Sequence, residues 1–308
     1  MYSKILVPLD GSDIAECVLP YVEAVAKGKN KLDVMFLYVI QPLDTPLTKH
    51  EFRAQIESEA KAAAENYLNE LIEKLTYNET VRSEVIIGEI AESIVDYAAQ
   101  NEIDVIIMAT HGRSGIKRWV YGSVSDKVLH ESNVPIWLIR ADIPPLFSQE
   151  KAQKINILVP LDGSELAESV LDHIKKLANQ LGEETVDIVL TRVCELFSNP
   201  SAHPPPMAMN WEEHLEYETN RCKDICQTYL SKVEEDIRQN GLNVRSEVLV
   251  GNPADAIIDF ANKNAVNTIV MSTHGRTGIG RWALGSIADK ILKGASCPIF
   301  LVRSKSSK

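Results

Sequence analysis

Two glycine-rich segments carry the residues best suited to hold an anion. They run from Met108 to Ser123 and from Met271 to Ser286, and each contains Thr-His-Gly-Arg and ends in Gly-Ser. Glycine lets a backbone approach a bound group closely. The Gly-Ser pair precedes a predicted helix, and the N–H groups at a helix start attract phosphates. The pattern favours phosphate binding over its plainer alternative, a tight strand-to-helix connection with solvated basic side chains.

The charges around both segments support this interpretation. No Asp or Glu occurs from Val105 to Ser125 or from Phe260 to Ala288, whereas each window contains three Lys or Arg residues. The whole chain of 308 residues has a formal net charge of -11. Acid-free windows in such a chain indicate places kept for negative charge, and the acidic total makes nucleic acid an unfavourable partner. The sequence also predicts a capping box at the helix after the first segment, formed by Ser123 and Asp126.

Two further pairs of residues stand where a ligand could reach them. Asp10 and Asp162 each follow a predicted strand inside the sequence ILVPLDGS. An acidic side chain at a strand end can accept hydrogen bonds from ribose hydroxyls, but it equally suits a turn. For His111 and His274 the sequence identifies no nucleophile or metal that catalysis would need. They are predicted to contact phosphate or backbone, or to pack against their loops.

The strongest feature of the chain is an internal duplication. Residues 5–12 recur 152 positions later as residues 157–164, and residues 108–123 recur in modified form 163 positions later as residues 271–286. About 11 additional residues therefore lie in the second copy, and the proline-rich stretch 199–210 is predicted to be the inserted loop. We expect domains over residues 1–141 and 154–308, joined by a linker over residues 142–153.

Each copy alternates short apolar runs with helical patterns. In the first copy, the pattern predicts strands over residues 4–9, 32–40, 82–87, 104–109 and 135–139, and helices over residues 13–26, 51–75, 90–101 and 123–131. Such alternation indicates parallel strands with helices on both faces. The predicted fold class is α/β, with two tandem doubly wound domains, each a five-stranded, mainly parallel sheet flanked by helices. In such sheets, ligands bind at the carboxyl ends of the strands, where both motifs lie.

Several classes of protein are disfavoured. No GxxxxGK[ST], GxGxxG, GxSxG or HExxH motif occurs, which argues against common NTPases, dehydrogenases, hydrolases and zinc proteases. We expect a cytoplasmic protein without a membrane segment, because no signal peptide and no apolar stretch of about 18 residues is visible. The odd number of cysteines argues against a disulfide framework. Cys222 and Cys226 suit one face of a helix, but ordinary buried cysteine is the preferred interpretation.

In its two motifs, the chain resembles the universal stress proteins. The ATP-binding members of that family carry the pattern Gly-x2-Gly-x9-Gly-(Ser/Thr). Both copies match it except at the first glycine, and the matching residues are Gly112, Gly122 and Ser123 in the first copy and Gly275, Gly285 and Ser286 in the second. The sequence Val-Pro-Leu-Asp-Gly-Ser at the first strand is also similar to the family. The resemblance covers nearly the whole chain, twice.

The resemblance implies an adenine-nucleotide alpha-hydrolase-like fold and a site for ATP, with or without Mg²⁺, or for ADP or AMP. Asp10 and Asp162 would face the adenosine, Val39 and Val193 would offer backbone groups to adenine, and the Gly-Ser pairs would hold phosphates. Family members pair through their last strand, so the copies would form an internal pseudo-dimer; a homodimer of chains is a further expectation. The nucleotide-binding residues so implied are Pro8, Asp10, Val39, Met108, Ala109, His111, Gly112, Gly122, Ser123, Val124, Ser125, Pro160, Asp162, Val193, Met271, Ser272, His274, Gly275, Gly285, Ser286 and Ile287.

The departures from the family pattern keep alternatives open. Ala109 and Ser272 replace the first glycine, where a Cβ would crowd a nucleotide or forbid a positive φ. Ser125 would give the first copy a phosphate hydrogen bond that Ala288 cannot give in the second, so we expect stronger binding in the first copy. The leading hypothesis is a nucleotide-binding protein of stress response or signalling without rapid turnover. The alternatives are a nucleotide-free protein-interaction module and a slow ATPase or nucleotidyl-transfer enzyme.

Overall fold

The computed structural model describes residues 2–28, 32–42, 50–77, 80–110, 122–142, 154–195, 210–273 and 284–303. In the first copy, the strands are β1 (Lys4–Leu9), β2 (Asp33–Ile40), β3 (Val81–Ile87), β4 (Val105–Ala109) and β5 (Ile136–Ile139). The helices are α1 (Asp13–Glu16), α2 (Leu19–Ala26), α3 (His50–Glu73), α4 (Ile90–Gln100) and α5 (Ser123–Glu131). The elements follow the predicted order, except that the first predicted helix is divided.

The prediction of one continuous helix over residues 13–26 is wrong, because this segment forms two helices. Helix α1 ends at Glu16, and α2 begins at Leu19 with Pro20 in its first turn. Proline has no N–H with which to continue a preceding helical turn, but it suits the first turn of a new helix. The second copy is divided at the same place, where the Ser169 hydroxyl donates to the Leu166 carbonyl oxygen at 2.6 Å.

The second copy repeats the same order of elements. Its strands are β6 (Ile155–Pro160), β7 (Val186–Cys194), β8 (Asn243–Val250), β9 (Thr268–Ser272) and β10 (Ile299–Val302). Its helices are α6 (Glu165–Glu168), α7 (Val170–Leu181), α8 (Trp211–Gln239), α9 (Pro253–Lys263) and α10 (Ser286–Gly294). The predicted linker from residue 143 onwards and the insert over 199–209 lie outside the described residues, and the domain limits stay predictions.

The described strands form one ten-stranded sheet in the order β3-β2-β1-β4-β5-β10-β9-β6-β7-β8. Neighbouring strands are parallel except β5 and β10, which are antiparallel. After β3 the chain crosses β1 to form β4 on its other side, and after β8 it crosses β6 to form β9 on its other side. Crevices therefore open at the carboxyl ends of these strands. The predicted α/β fold class, with a mainly parallel sheet in each copy, is confirmed.

Helices cover both faces of the sheet and bury two layers of apolar side chains. Alternate residues of β1 point to opposite faces, so that Ile5 and Val7 join one layer and Leu6 the other. Helices α2, α3, α7 and α8 cover the first layer, and α4, α5, α9 and α10 cover the second. Burial of one such side chain contributes about 1.5–3 kcal/mol, which holds the strand ends in place. Within the described ranges, no helix is long and apolar enough to span a membrane.

The two copies meet in a two-fold arrangement at β5 and β10. Trp137 of β5 lies opposite Phe300 of β10, which occupies the equivalent position in the second copy, and their ring centroids are 6.1 Å apart. The next pairs, Leu138 with Ile299 and Ile136 with Leu301, exchange equivalent positions in the same way. The predicted pairing of the last strands is confirmed, whereas a homodimer of whole chains stays a prediction.

Two arginines extend this arrangement beyond the strands. The Arg140 guanidinium donates through Nη1 to the Ala295 carbonyl oxygen of the other copy at 3.0 Å. Arg303, the equivalent residue in the second copy, donates to the carbonyl oxygens of Ser132 at 2.9 Å and His130 at 3.2 Å. Because each copy supplies a cation to the backbone of the other, the junction is fixed by polar as well as apolar contacts.

Candidate functional site

The crevice between β6 and β9 opens into a cavity of about 700 Å³. Cavities of this size are typical of small-molecule sites. Of the ten residues predicted for the second copy, His274 and Gly275 lie outside the described residues. The other eight line the cavity, namely Pro160, Asp162, Val193, Met271, Ser272, Gly285, Ser286 and Ile287. The strand ends of the second copy therefore bring the described part of its predicted site onto one continuous surface.

The start of helix α10 faces this cavity. Gly285 is the N-cap, with φ -60° and ψ 144°, and its N–H donates to the Thr273 carbonyl oxygen at 2.9 Å. No side chain in the described part of the chain caps the helix. Among the described residues, none accepts a hydrogen bond from the N–H groups of Ser286, Ile287 and Ala288. These three donors and the positive end of the helix dipole suit a phosphate group.

The first copy has the same geometry, which corrects the predicted capping box. Gly122, rather than Ser123, is the N-cap of α5, because its extended backbone (φ -58°, ψ 142°) ends the loop one residue earlier. The Gly122 N–H donates to the Thr110 carbonyl oxygen at 3.1 Å. Ser123 is thus already the first helical residue, and the Asp126 N–H makes an ordinary helical bond to the Gly122 carbonyl oxygen. A glycine cap keeps the first N–H groups clear of a competing side-chain oxygen.

Asp162 stands at the opposite wall of the cavity and also organises its own turn. Its Oδ1 accepts hydrogen bonds from the Ser164 N–H at 2.9 Å and the Ser164 hydroxyl at 2.6 Å. The Ser164 oxygen in turn accepts from the Ala167 N–H at 3.1 Å and caps α6. Asp10 and Ser12 repeat these contacts in the first copy. Both aspartates thus stabilise a turn, as one of the two interpretations predicted. Asp162 also lines the cavity, within reach of a ligand.

Strand β7 extends past the end of its neighbour β6. The paired register of β6 and β7 ends with Pro160 opposite Thr191, and the Leu161 N–H donates to the Thr191 carbonyl oxygen at 2.7 Å. Backbone groups two residues apart point to the same edge of a strand. The N–H and C=O of Val193 therefore point to the β6 side beyond the last paired residue. One donor and one acceptor at this place match the edge of a planar base.

The predicted residues of the first copy occupy the equivalent places. Pro8, Asp10, Val39, Met108 and Ala109 lie at the carboxyl ends of β1, β2 and β4, and Gly122, Ser123, Val124 and Ser125 lie at the start of α5; His111 and Gly112 are outside the described residues. Neither Ala109 nor Ser272 has a positive φ. The backbone at the missing glycine therefore does not require glycine, and only the added side chain, a methyl group at Ala109 and a hydroxymethyl group at Ser272, distinguishes these positions from the family pattern.

The expected phosphate contact of Ser125 stays a prediction, and backbone acceptors compete with it for the hydroxyl proton. Ser125 is buried, and its hydroxyl donates to the Thr110 carbonyl oxygen at 2.9 Å, with the Gly122 carbonyl oxygen at 3.0 Å. A serine hydroxyl has one proton, and this one is directed at backbone acceptors. Ser125 therefore closes the loop onto the helix. A phosphate contact from Ser125 would have to replace these backbone bonds, so the expected advantage of the first copy is reduced.

Arg192 is a lining residue that the sequence analysis missed. Its guanidinium carbon lies 4.6 Å from the centroid of the Tyr229 ring, and the Tyr229 hydroxyl donates to Glu168 at 2.8 Å. Burial and the Glu168 carboxylate raise the pKa of Tyr229 and keep its hydroxyl protonated. Tyr38 occupies the equivalent position at the end of β2, where its hydroxyl donates to the Asp10 carbonyl oxygen at 3.3 Å. Alignment of the second strands of the two copies would have revealed the difference.

A disulfide joins Cys194 to Cys222, which corrects the expectation of ordinary cysteines. Cys194 ends β7, Cys222 lies on α8, and their Cα atoms are 5.8 Å apart. The odd cysteine count excluded nothing, because packing of the helix on the strand decides which thiols meet. Cys226 lies one helical turn further and is buried, and both it and Cys222 line the cavity. The first copy has Ile40 and Ala60 at the positions of the bonded cysteines.

The other thiols are not placed for reaction. Burial raises the pKa of Cys17 and of Cys297 to about 12, so both stay protonated near neutral pH. Within the part of the chain that the structure describes, no group of three or more His, Cys, Asp or Glu side chains could hold a metal ion. The features that distinguish the cavity of the second copy are therefore an arginine and a disulfide. The helix start without a side-chain cap among the described residues is common to both copies.

Known proteins that are similar to this chain in sequence or structure agree with the tandem fold described above. A model of the universal stress protein family matches residues 1–140 and 155–303. A universal stress protein of Methanocaldococcus jannaschii is 31% identical over 147 residues, which cover 48% of this chain and 81% of that protein. A universal stress protein of Mycolicibacterium smegmatis is 23% identical over 307 residues, which cover 98% of this chain and 97% of that protein. The crystal structure of a universal stress protein from Archaeoglobus fulgidus DSM 4304 superposes with a TM-score of 0.69 at 22% identity, covering 97% of this chain and 98% of that one.

Proposed function

The chain belongs to the universal stress protein family as a tandem of two family domains, and we propose that it binds ATP or a related adenine nucleotide in the cavity of its second copy. The phosphates would lie at the start of α10, and the adenosine would lie between Asp162 and Val193. The protein would serve stress response or signalling by holding the nucleotide, without rapid turnover.

One observation carries this proposal: an uncapped helix start faces a cavity large enough for a nucleotide. Gly285 supplies no side-chain acceptor, so the three N–H groups that follow it are directed at whatever occupies the cavity. Phosphate is the group that such helix starts bind best. Met271 and Ile291 add apolar surface to the same cavity, which suits the faces of a base.

The second copy is proposed as the stronger site, contrary to the expectation from sequence. The only residue that favoured the first copy was Ser125, and its hydroxyl bonds to backbone. In the second copy Ala288 has no hydroxyl, and its N–H belongs to the helix start that faces the cavity. The difference in affinity therefore depends on the cavity walls rather than on the phosphate loop.

A substitution at the cap tests the proposal. Gly285→Asp places an acceptor and a negative charge at the N-cap, where the backbone is extended and tolerates any residue. The aspartate would bond the helix N–H groups itself and repel phosphate, so we expect Mg-ATP affinity to fall by about a hundredfold or more. Isothermal titration calorimetry of the full chain measures this loss.

Gly285→Asn is the matched control. It adds a side chain of the same size and capping ability but no charge, so it should weaken Mg-ATP binding clearly less than aspartate does. Equal, undiminished affinity of both variants and the wild type would place the phosphates elsewhere. Absence of Mg-ATP binding by the wild type would reject nucleotide binding altogether and favour an interaction module.

A further inference from the structure

The Arg192 guanidinium is a cation on the cavity wall that has no anionic partner among the residues the structure describes. Within the described residues, no group pairs with it by hydrogen bond or ion pair, and its Nε atom is buried without an acceptor. A partly buried charge that lacks such partners is unfavourable unless something compensates it. In a chain with a net charge of -11, this is an unusual place for an uncompensated cation. An anionic group of the cavity's occupant would supply the compensation.

The protein holds this guanidinium in place by packing. Tyr229 lies under it at 4.6 Å, and Glu168 fixes the tyrosine hydroxyl at 2.8 Å. On the other side runs the backbone of Gly163, with φ +87°. A Cβ at Gly163 would lie 3.0–3.2 Å from the guanidinium atoms, so only glycine fits both the conformation and the space. The stacked guanidinium keeps a fixed orientation beside the Asp162 turn, as recognition of a forked anion requires.

Among the cations that line the cavity, Arg192 is the one best suited to bind an anionic group of the occupant. Among the other charged residues that line the cavity, Arg221 lies 3.7 Å from Glu218 and is engaged on the α8 surface. The Asp162 carboxylate accepts hydrogen bonds from the N–H and hydroxyl of Ser164, in its own turn. The first copy has no equivalent cation, because Tyr38 stands at that position.

From this arrangement, and resting on the proposed nucleotide site, we propose that Arg192 binds a second phosphate, carried on the 2′ or 3′ hydroxyl of the ribose. The 5′ phosphates belong at the start of α10, on the β9 side of the crevice, whereas Arg192 lies on β7 and contacts the turn that carries Asp162. Asp162 is the residue proposed to face the adenosine. An arginine beside the ribose is the arrangement by which proteins accept a ribose phosphate. The second copy would thus prefer adenosine bisphosphates over AMP.

Calorimetry with three nucleotides tests this preference. The full chain carrying Gly122→Asp, which blocks the helix start of the first copy, is titrated with AMP, adenosine 2′,5′-bisphosphate and adenosine 3′,5′-bisphosphate. We expect one bisphosphate to bind about tenfold to a hundredfold tighter than AMP, as one charge-assisted contact provides. Equal affinity of AMP and both bisphosphates in this chain overturns the inference without any change at Arg192.

Arg192→Tyr is the decisive variant, because it installs the residue of the first copy. It should remove the preference for the bisphosphate, so that the ratio of bisphosphate affinity to AMP affinity falls to about one. Arg192→Lys should keep part of the preference, because lysine retains the charge but not the planar fork. If Arg192→Tyr weakens AMP as much as the bisphosphate, Arg192 contacts the 5′ phosphate and the inference is wrong. If AMP and Mg-ATP fail to bind the unmodified chain, the proposed function itself fails.

Discussion

The two copies share one turn but differ in the wall beside it. The hydrogen bonds from Asp10 to Ser12 recur from Asp162 to Ser164 within about 0.1 Å. The wall formed by the second strand and the long helix differs between the copies. Tyr38 and Ile40 of the first copy are replaced by Arg192 and Cys194 at the equivalent positions of the second. The repeated motifs therefore describe what the two sites have in common. We propose that ligand preference depends on residues outside both motifs, and three changes would sharpen or break the contrast between the copies.

The largest expected effect comes from the disulfide of the second copy. Cys194 and Cys222 are 28 residues apart, and closing a loop of that length stabilises the folded state by about 3–4 kcal/mol. Reduction of the wild type with dithiothreitol should lower the free energy of unfolding of the second copy by that amount. Chemical denaturation, followed by hydrogen exchange of each copy, measures it.

The first copy is the internal control, because it has Ile40 and Ala60 at the equivalent positions. Its protection should not change on reduction. A double variant, Cys194→Ala with Cys222→Ala, should be insensitive to the reductant. Equal destabilisation of both copies by dithiothreitol would mean that the disulfide is not what separates them.

A smaller effect distinguishes His173 from its equivalent in the first copy, Tyr21. Burial, followed by the nearby Lys176, lowers the pKa of His173 to about 4. The unfolded chain therefore takes up a proton near pH 6.5 while the folded chain does not, and stability is full above that pH and falls as the pH decreases towards 4. We expect a loss of about 1–3 kcal/mol across this range, discounted for partial exposure.

The variant His173→Tyr should remove this part of the pH dependence. The Tyr2 hydroxyl, 2.9 Å from His173 Nδ1, would then face another hydroxyl, so absolute stability will change as well. The slope of unfolding free energy against pH between 4.5 and 6.5 is the quantity to compare, because it reports proton uptake alone. An unchanged slope would assign the titration to another group.

The smallest effect concerns the junction of the two copies. Arg303→Ala removes contacts to two carbonyl oxygens of the first copy, and Arg140→Ala removes one to the second. We expect losses of about 1–2 kcal/mol for Arg303 and somewhat less for Arg140. Thermal unfolding of the two variants in parallel measures the difference. Identical losses would show that the two-fold junction is energetically symmetric despite its unequal contacts.

Much of the fold could be predicted from the sequence because it depends on local patterns. Apolar runs and helical spacing predicted the strands, and the matched blocks predicted two copies. The family resemblance implied that the copies pair through their last strands, Ile136–Ile139 and Ile299–Val302. The N-cap was misplaced by one residue because a backbone bond from Gly122 to Thr110, invisible in sequence, ends the loop. The order of elements thus follows from periodicity, whereas the position of a cap depends on a contact across the loop.

The candidate site was predicted less completely than the fold. The repeated motifs, together with the family resemblance, led to the eight described residues that line the cavity in the second copy. They did not indicate Arg192 or the bond between Cys194 and Cys222, because these residues carry no motif and meet only when α8 packs on β7. Residues of this kind are predictable only by comparing the copies position by position.

The central claim is that the second copy holds an adenine nucleotide at the start of α10. Mass spectrometry of small molecules released by denaturing freshly purified protein tests it most directly. The account predicts ATP, ADP, AMP or an adenosine bisphosphate near one per chain, retained in Gly122→Asp and lost in Gly285→Asp. A nucleotide lost from Gly122→Asp but retained in Gly285→Asp would contradict it and return the site to the first copy.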